Sequence, residues 1–209
     1  MKNLFGAEDR RVESREHLGK PALVAIATRT YDTSVDDLWD AITTPARLAR
    51  WFLAVEGDLE AGGRYQLRGN AGGTIIRCDR PAALDLTWEL GGATSWVSVR
   101  LVPEGARARL TLEHIAHLDG IGAEHLKTFG PGAVGIGWDL VLRGLAGHVA
   151  APDVAVDPAA GAAWPLTPDG KAFVRASGEA WGAAYAAAGE DPAEARAQAE
   201  RTIAFYTGG

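Results

Sequence analysis

Between residues 53 and 116 the apolar side chains recur at every second position, in short runs broken by glycine pairs and a proline turn. That period fits strands, because successive strand side chains point to opposite faces of a sheet, whereas neighbours on one helix face are three or four apart. Four runs are plainest: Arg64 to Arg68 after Gly62-Gly63, Thr74 to Cys78 after Gly72-Gly73, Leu84 to Leu90 before Gly91-Gly92, and Trp96 to Val102 before Pro103-Glu104-Gly105. Arg107 to Ile115 makes a fifth, and LAVEGD near residue 55 a shorter sixth. Leu84, Leu86, Trp88 and Leu90 share a face, as do Val97, Val99 and Leu101, and Ala108, Leu110, Leu112 and His114. The pattern predicts an antiparallel meander with one buried face.

Helical signals flank it. Leu23 to Thr30 reads as a strand, after which Ser34 offers an N-cap to VDDLWDAIT, with Asp36 and Asp37 where the helix dipole favours anions. Thr44-Pro45 opens a second short helix, ARLARWF. After a polar loop, Val134, Trp138, Val141, Leu142, Leu145 and Val149 fall on one helical stripe. Gly135 and Gly137 either let that helix approach the sheet closely or lie before it begins. Residues 1–20 are charged without an apolar period and read as a mobile arm or surface helix; 21–150 form the main domain, and 151–170, with four of the ten prolines, a linker. Two helical patterns follow in 171–209, the second opened by Asp191-Pro192 with Glu194 in capping-box position. Phe173, Trp181, Tyr185, Ile203 and Tyr206 are too many large residues for a lone hairpin to bury, so it is expected to dock on the domain or on a partner subunit.

Charge narrows the function. The formal net charge is -6, and residues 150–209 carry 8 acidic against 4 basic side chains, so no cationic face suits a nucleic acid. No apolar stretch approaches the length of a membrane span, and the first residues hold no apolar signal core. The single cysteine, Cys78, cannot form an internal disulfide and fits a reducing, cytoplasmic setting.

Candidate chemistry is sparse. Gly130-Pro131-Gly132-Ala133-Val134-Gly135 matches GxGxxG, but a polar segment, not a buried strand, precedes it, which argues against a dinucleotide cofactor; nothing else calls for a cofactor. His114, His117 and His125 diverge in direction, so no metal is expected. Cys78, on an apolar strand, is expected to be a small buried hydrophobe. Strand alternation turns Glu89 and Glu113 outward and leaves only His114 inside for proton transfer. Aromatic placement is more informative: inward positions on different elements hold Trp51, Phe52, Tyr65, Trp88 and Trp138, which either fill the core or line a cavity for an apolar ligand. With Ile76, Leu112, His114 and Leu142 they form the expected ligand-binding set.

Thr44-Pro45, Leu48, Trp51-Phe52, Gly62-Gly63-Arg64-Tyr65, Gly73-Thr74-Ile75, Asp79-Arg80-Pro81, Leu86-Thr87-Trp88, Leu110 to His114, Gly137-Trp138 and Leu142, in this order and spacing, resemble the START-like SRPBCC superfamily. Over about 22–150 the chain is most similar to bacterial homologues of the activator of heat-shock protein 90 ATPase. Val134 and Arg107-Ala108 depart from the pattern, which has a histidine and a Gly-Thr pair there. The resemblance implies an α+β helix-grip fold, a curved antiparallel sheet of about six or seven strands wrapped around a long helix. It also implies three functions: non-catalytic binding of a small hydrophobic or aromatic molecule, a protein-interaction module with a chaperone partner, or a cyclase-like or hydrolytic enzyme using His114. Fold alone does not choose among them. The chain is expected to be a monomer or a homodimer.

Overall fold

The structure, a computed structural model, describes residues 7–119 and 122–209. Eight strands form one curved, unclosed antiparallel sheet. They are β1 (Asp9–His17), β2 (Lys20–Tyr31), β3 (Val55–Gly57), β4 (Arg64–Leu67), β5 (Gly72–Asp79), β6 (Ala83–Leu90), β7 (Ala93–Glu104) and β8 (Arg107–His117), ordered β1-β2-β8-β7-β6-β5-β4-β3. The described helices are α1 (Val35–Thr43), α2 (Pro45–Trp51), α3 (Ala123–Phe129), α4 (Gly132–Ala150), α5 (Pro158–Ala163), α6 (Pro168–Ala187) and α7 (Pro192–Thr207), with a 3-10 turn at Trp164–Leu166. The fold is α+β and of the helix-grip kind.

Every periodic run becomes a strand, and β1 adds one more. Of the predicted arm, 1–6 lies outside the described residues, but 9–17 is neither arm nor helix. Val12 is the one buried apolar side chain of β1; its charges hide the strand from a periodicity reading because they are paired, Arg10 with Glu8 and Arg15 with Glu13. Leu18 and Gly19 turn the chain into β2 with φ of 51° and 77°.

The chain divides into two compact units. One comprises Thr28–His114 and Val141–Pro158. Here Ser34 caps α1, its hydroxyl accepting from the Asp37 amide at 3.2 Å, and Pro45 opens α2. The Trp51 indole donates to the Ala41 carbonyl at 3.1 Å, tying α2 to α1. Along β6 and β7, Leu84 faces Val99 and Leu86 faces Val97, so cross-strand apolar pairs hold the meander together.

The other unit comprises the chain up to Ala27, Ile115–Leu140 and Ala159–Gly209. Here α6 packs on α7 and β1, and α7 packs on α3. Phe173, Trp181 and Ile203 are buried as expected; Tyr185 and Tyr206 are only partly buried, the latter donating to the Ala133 carbonyl at 3.0 Å. Asp191 caps α7 through the Ala193 and Glu194 amides. Three expectations change. The polar segment AEHLKTF is a helix, α3, whose end meets α7 through Thr202, bonded to the Phe129 carbonyl at 2.7 Å. The linker contains α5 and the 3-10 turn, and α6 starts at Pro168, capped by Thr167. Gly135 and Gly137 lie inside α4 and receive Trp181 and Tyr206 of the hairpin; a Cβ on Gly137 would stand 3.0 Å from the Tyr206 hydroxyl.

Candidate functional site

Alternation along β4 and β6 sends Tyr65 and Leu67, and Leu84, Leu86 and Trp88, to one face, where Ile75 of β5 joins them. Tyr65, Leu67 and Ile75 are buried; Phe52, Leu53, Val55, Leu59, Leu84, Leu86 and Trp88 pack around them but stay partly exposed. The Tyr65 hydroxyl donates to the Thr87 carbonyl at 2.7 Å, and burial raises its pKa. Trp51, itself buried, stacks on Phe52 with centroids 5.6 Å apart. Three expected ring positions, Phe52, Tyr65 and Trp88, thus meet in one apolar cluster, and Trp51 touches it through its stacking on Phe52.

Ile76 is a correction. Ile75 pairs with Leu86 and Arg77 with Asp85, so β5 carries an extra residue at this step, a bulge. Ile75 takes the inward place and Ile76 is 53% exposed. Beyond the bulge Cys78 is exposed as well, and is not the buried hydrophobe expected from an apolar strand.

Leu112, His114 and Leu142 are buried within the same unit, on β8 and α4. Burial pushes His114 down to a pKa of about 4, so it is neutral at physiological pH and a weak base. Trp138 is buried too but belongs to the other unit. Glu89 turns outward to Arg64, whose guanidinium donates to it at 2.7 Å and holds its carboxyl below the usual range. Gly130 closes α3 and Gly132 opens α4, so a helix precedes the glycine-rich segment. Among the described residues no three His, Cys, Asp or Glu side chains gather where a metal could sit, and no helix is long and apolar enough to cross a membrane.

Sequence reasoning passed over three charged residues. Arg29 is 7% exposed, with its guanidinium carbon 5.5 Å from the Tyr31 ring centroid. Tyr31 in turn donates to the Leu142 carbonyl at 3.2 Å, beside Arg143. The signal was there: Arg29 shares a strand face with Tyr31, and Arg143 interrupts an apolar helix. Asp139, fully buried in the other unit, takes Arg10 (2.8 Å), Trp181 (3.0 Å) and the Ser177 hydroxyl on a single carboxylate oxygen. It is one acidic residue in an otherwise apolar stretch of α4. A groove of about 390 Å³ also runs between α6 and α7, but alanines and a charged rim of Arg175, Glu179, Arg196 and Glu200 line it, without an aromatic side chain.

Residues 32–150 match the family model described as activator of Hsp90 ATPase homolog 1-like protein. No curated protein matches the chain. Among solved structures, CalU16 from Micromonospora echinospora is 32% identical, over 87% of this chain; its crystal structure is covered to 98% at a TM-score of 0.66, and its solution structure to 97% at 0.69. EF2215 from Enterococcus faecalis, a conserved protein of unknown function, shares the fold at 18% identity and a TM-score of 0.53, over 72% of this chain and 82% of its own. Fold, family model and a relative matched over nearly its full length agree, and the chain belongs to the activator of Hsp90 ATPase homolog 1-like family, within the START-like SRPBCC superfamily.

Proposed function

We propose that this protein binds a small hydrophobic or aromatic molecule on the inner face of β4 to β6 without transforming it. The observation that carries this is the incomplete burial of Phe52, Leu84, Leu86 and Trp88 around Tyr65, Leu67 and Ile75. Side chains that only fill a core lose nearly all contact with water; these keep apolar area that a ligand would cover, at about 25 cal/mol per Å². A non-catalytic role is favoured because His114, the inward titratable group singled out from the sequence, is neutral and a poor base. Titration with fatty acids, flavonoids and polycyclic aromatics should quench tryptophan emission and raise the melting temperature for at least one class. A flat response across the panel would sink the reading.

A second reading is supported by the family itself, whose description names Hsp90 ATPase activation: a module that docks on a chaperone. Stimulation of a purified Hsp90 ATPase by this protein, unaffected by Trp88→Ala, would favour it over ligand binding.

A further inference from the structure

We propose that Arg47 and His148 form an acid-sensitive latch that holds α2 against the end of α4, so that proton uptake by His148 opens the edge of the apolar cluster and loosens what it binds. This rests on the ligand-binding reading above and adds its regulation. All the parts belong to one compact unit. An arginine side chain only donates, so the Arg47 Nε–H directed at His148 Nε2, 3.3 Å away, makes the imidazole the acceptor and leaves its proton on Nδ1. His148 is 2% exposed, and Nδ1 is enclosed without a hydrogen-bond partner among the described residues. A second proton must go on Nε2. There it breaks the bond, faces the guanidinium with a like charge and leaves two buried donors unmet. The same ring stacks on Trp51 with centroids 6.4 Å apart, and Trp51 stacks on Phe52, which packs against Tyr65, Leu67 and Ile75.

The charges around His148 decide which contact yields. Burial first, then Arg47 and Arg50 of α2, lower its pKa below the usual 6.5, against the pull of Asp37 of α1. Arg47 is also anchored to α1, donating to the Asp37 carboxylate at 2.7 Å and to that of Asp40 at 3.2 Å. Both carboxyls are held below their ordinary range, Asp37 by bonds from Arg47 and Thr33, Asp40 by bonds from Thr44 and Arg47, so they stay ionised while His148 titrates. Acid therefore parts α2 from α4 and not from α1. The Val156 amide, which follows α4 and donates to the Arg50 carbonyl at 2.8 Å, lies across the same seam. His114, with a pKa of about 4, stays neutral while this happens.

The test reads the seam and the binding separately. Hydrogen exchange of the Val156 amide, followed by NMR and normalised to its intrinsic rate, should lose about tenfold of its protection between about pH 7.5 and 5. Binding of 1-pyrenemethanol, a neutral polycyclic aromatic probe, should weaken by about fivefold or more over the same interval. His148→Gln presents a side-chain oxygen to Arg47 at every pH and should hold both readings level. Unchanged protection in the wild type, or an equal fall in His148→Gln, would overturn the latch while leaving ligand binding intact. Falling protection with level affinity would overturn its control of binding. Failure of the probe to bind at about pH 7.5 would count against the ligand reading and not the latch, which the exchange series on the wild type decides without probe or variant.

Discussion

Trp181 lies so tightly on Gly135 that a Cβ there would stand 2.4 Å from the indole Cε2. Helix propensity alone favours alanine at this position by about 1 kcal/mol. Packing should win: Gly135→Ala is expected to lower stability by roughly 1 to 3 kcal/mol, because Trp181 is fully enclosed and cannot retreat without breaking its bond to Asp139. Urea unfolding measures this, and a variant as stable as the parent would show that the hairpin shifts freely.

Asp139 should be the costliest single truncation. Asp139→Ala leaves Arg10, Ser177 and Trp181 as buried donors facing an apolar methyl, with an expected loss of about 3 to 5 kcal/mol. Asp139→Asn keeps an acceptor and should lose clearly less. Denaturant midpoints of the two variants in the wrong order would contradict this account.

Acid should unfold the protein in part through histidine. His114 has a folded pKa of about 4 against 6.5 for a free imidazole, so it supplies stability that is fully present above pH 6.5 and lost as the pH falls toward 4. For this group alone the loss is roughly 3 kcal/mol. His17 and His148 are also lowered, by burial first, and add to the same limb. Asp139 works the other way. Its pKa is raised by burial, against the pull of Arg10, and its contribution fades as the pH rises. Urea midpoints between pH 4 and 8 should trace this fall, and His114→Met should flatten it; an equally steep limb in the variant would assign it elsewhere.

How far these features were legible depended on how local their causes are. The caps at Ser34 and Asp191 and the strands of the meander rest on neighbours within a few residues, and the sequence announces them. β1 does not announce itself, because Arg10 is stabilised by Asp139, far along the chain. Ile76 was misassigned for a local reason of another kind: one extra residue in β5 inverts the inside-outside parity, and periodicity cannot see a bulge. The glycines of α4 were recognised as unusual, but the rings they receive belong to segments more than forty residues later. At the candidate site the aromatic positions were readable from alternation, whereas Arg29 and Arg143 were absorbed into apolar patterns that their charges interrupt.

The turn before β2 can be improved. Leu18 holds a φ of 51° while 72% exposed, so it bears left-handed strain and contributes little burial. Leu18→Asn, next to Gly19, supplies the residue pair that such two-residue turns prefer and should raise stability by about 0.5 to 1 kcal/mol. A drop in melting temperature would show that the leucine has a packing role.

Trp88→Ala separates binding from folding. Because the indole is only partly buried, its loss should cost about 1 to 2 kcal/mol of stability, less than a core tryptophan, yet weaken binding of whichever panel compound the wild type takes by about tenfold or more. Calorimetric titration beside a thermal melt checks both, and unchanged affinity would move the site away from β6.

The oxygen of Asp139 that gathers Arg10, Ser177 and Trp181 also sets an order of events during synthesis. A ribosome emits Arg10 early and Trp181 some 170 residues later, so for most of translation the carboxylate lacks the donors that make its burial tolerable. The unit holding β1 is therefore expected to close only after α6 has emerged, whereas the chain up to residue 158 already contains the strands and helices that contribute to the other unit. A released chain truncated near residue 160 should present a protease-resistant unit together with a first strand still open to cleavage.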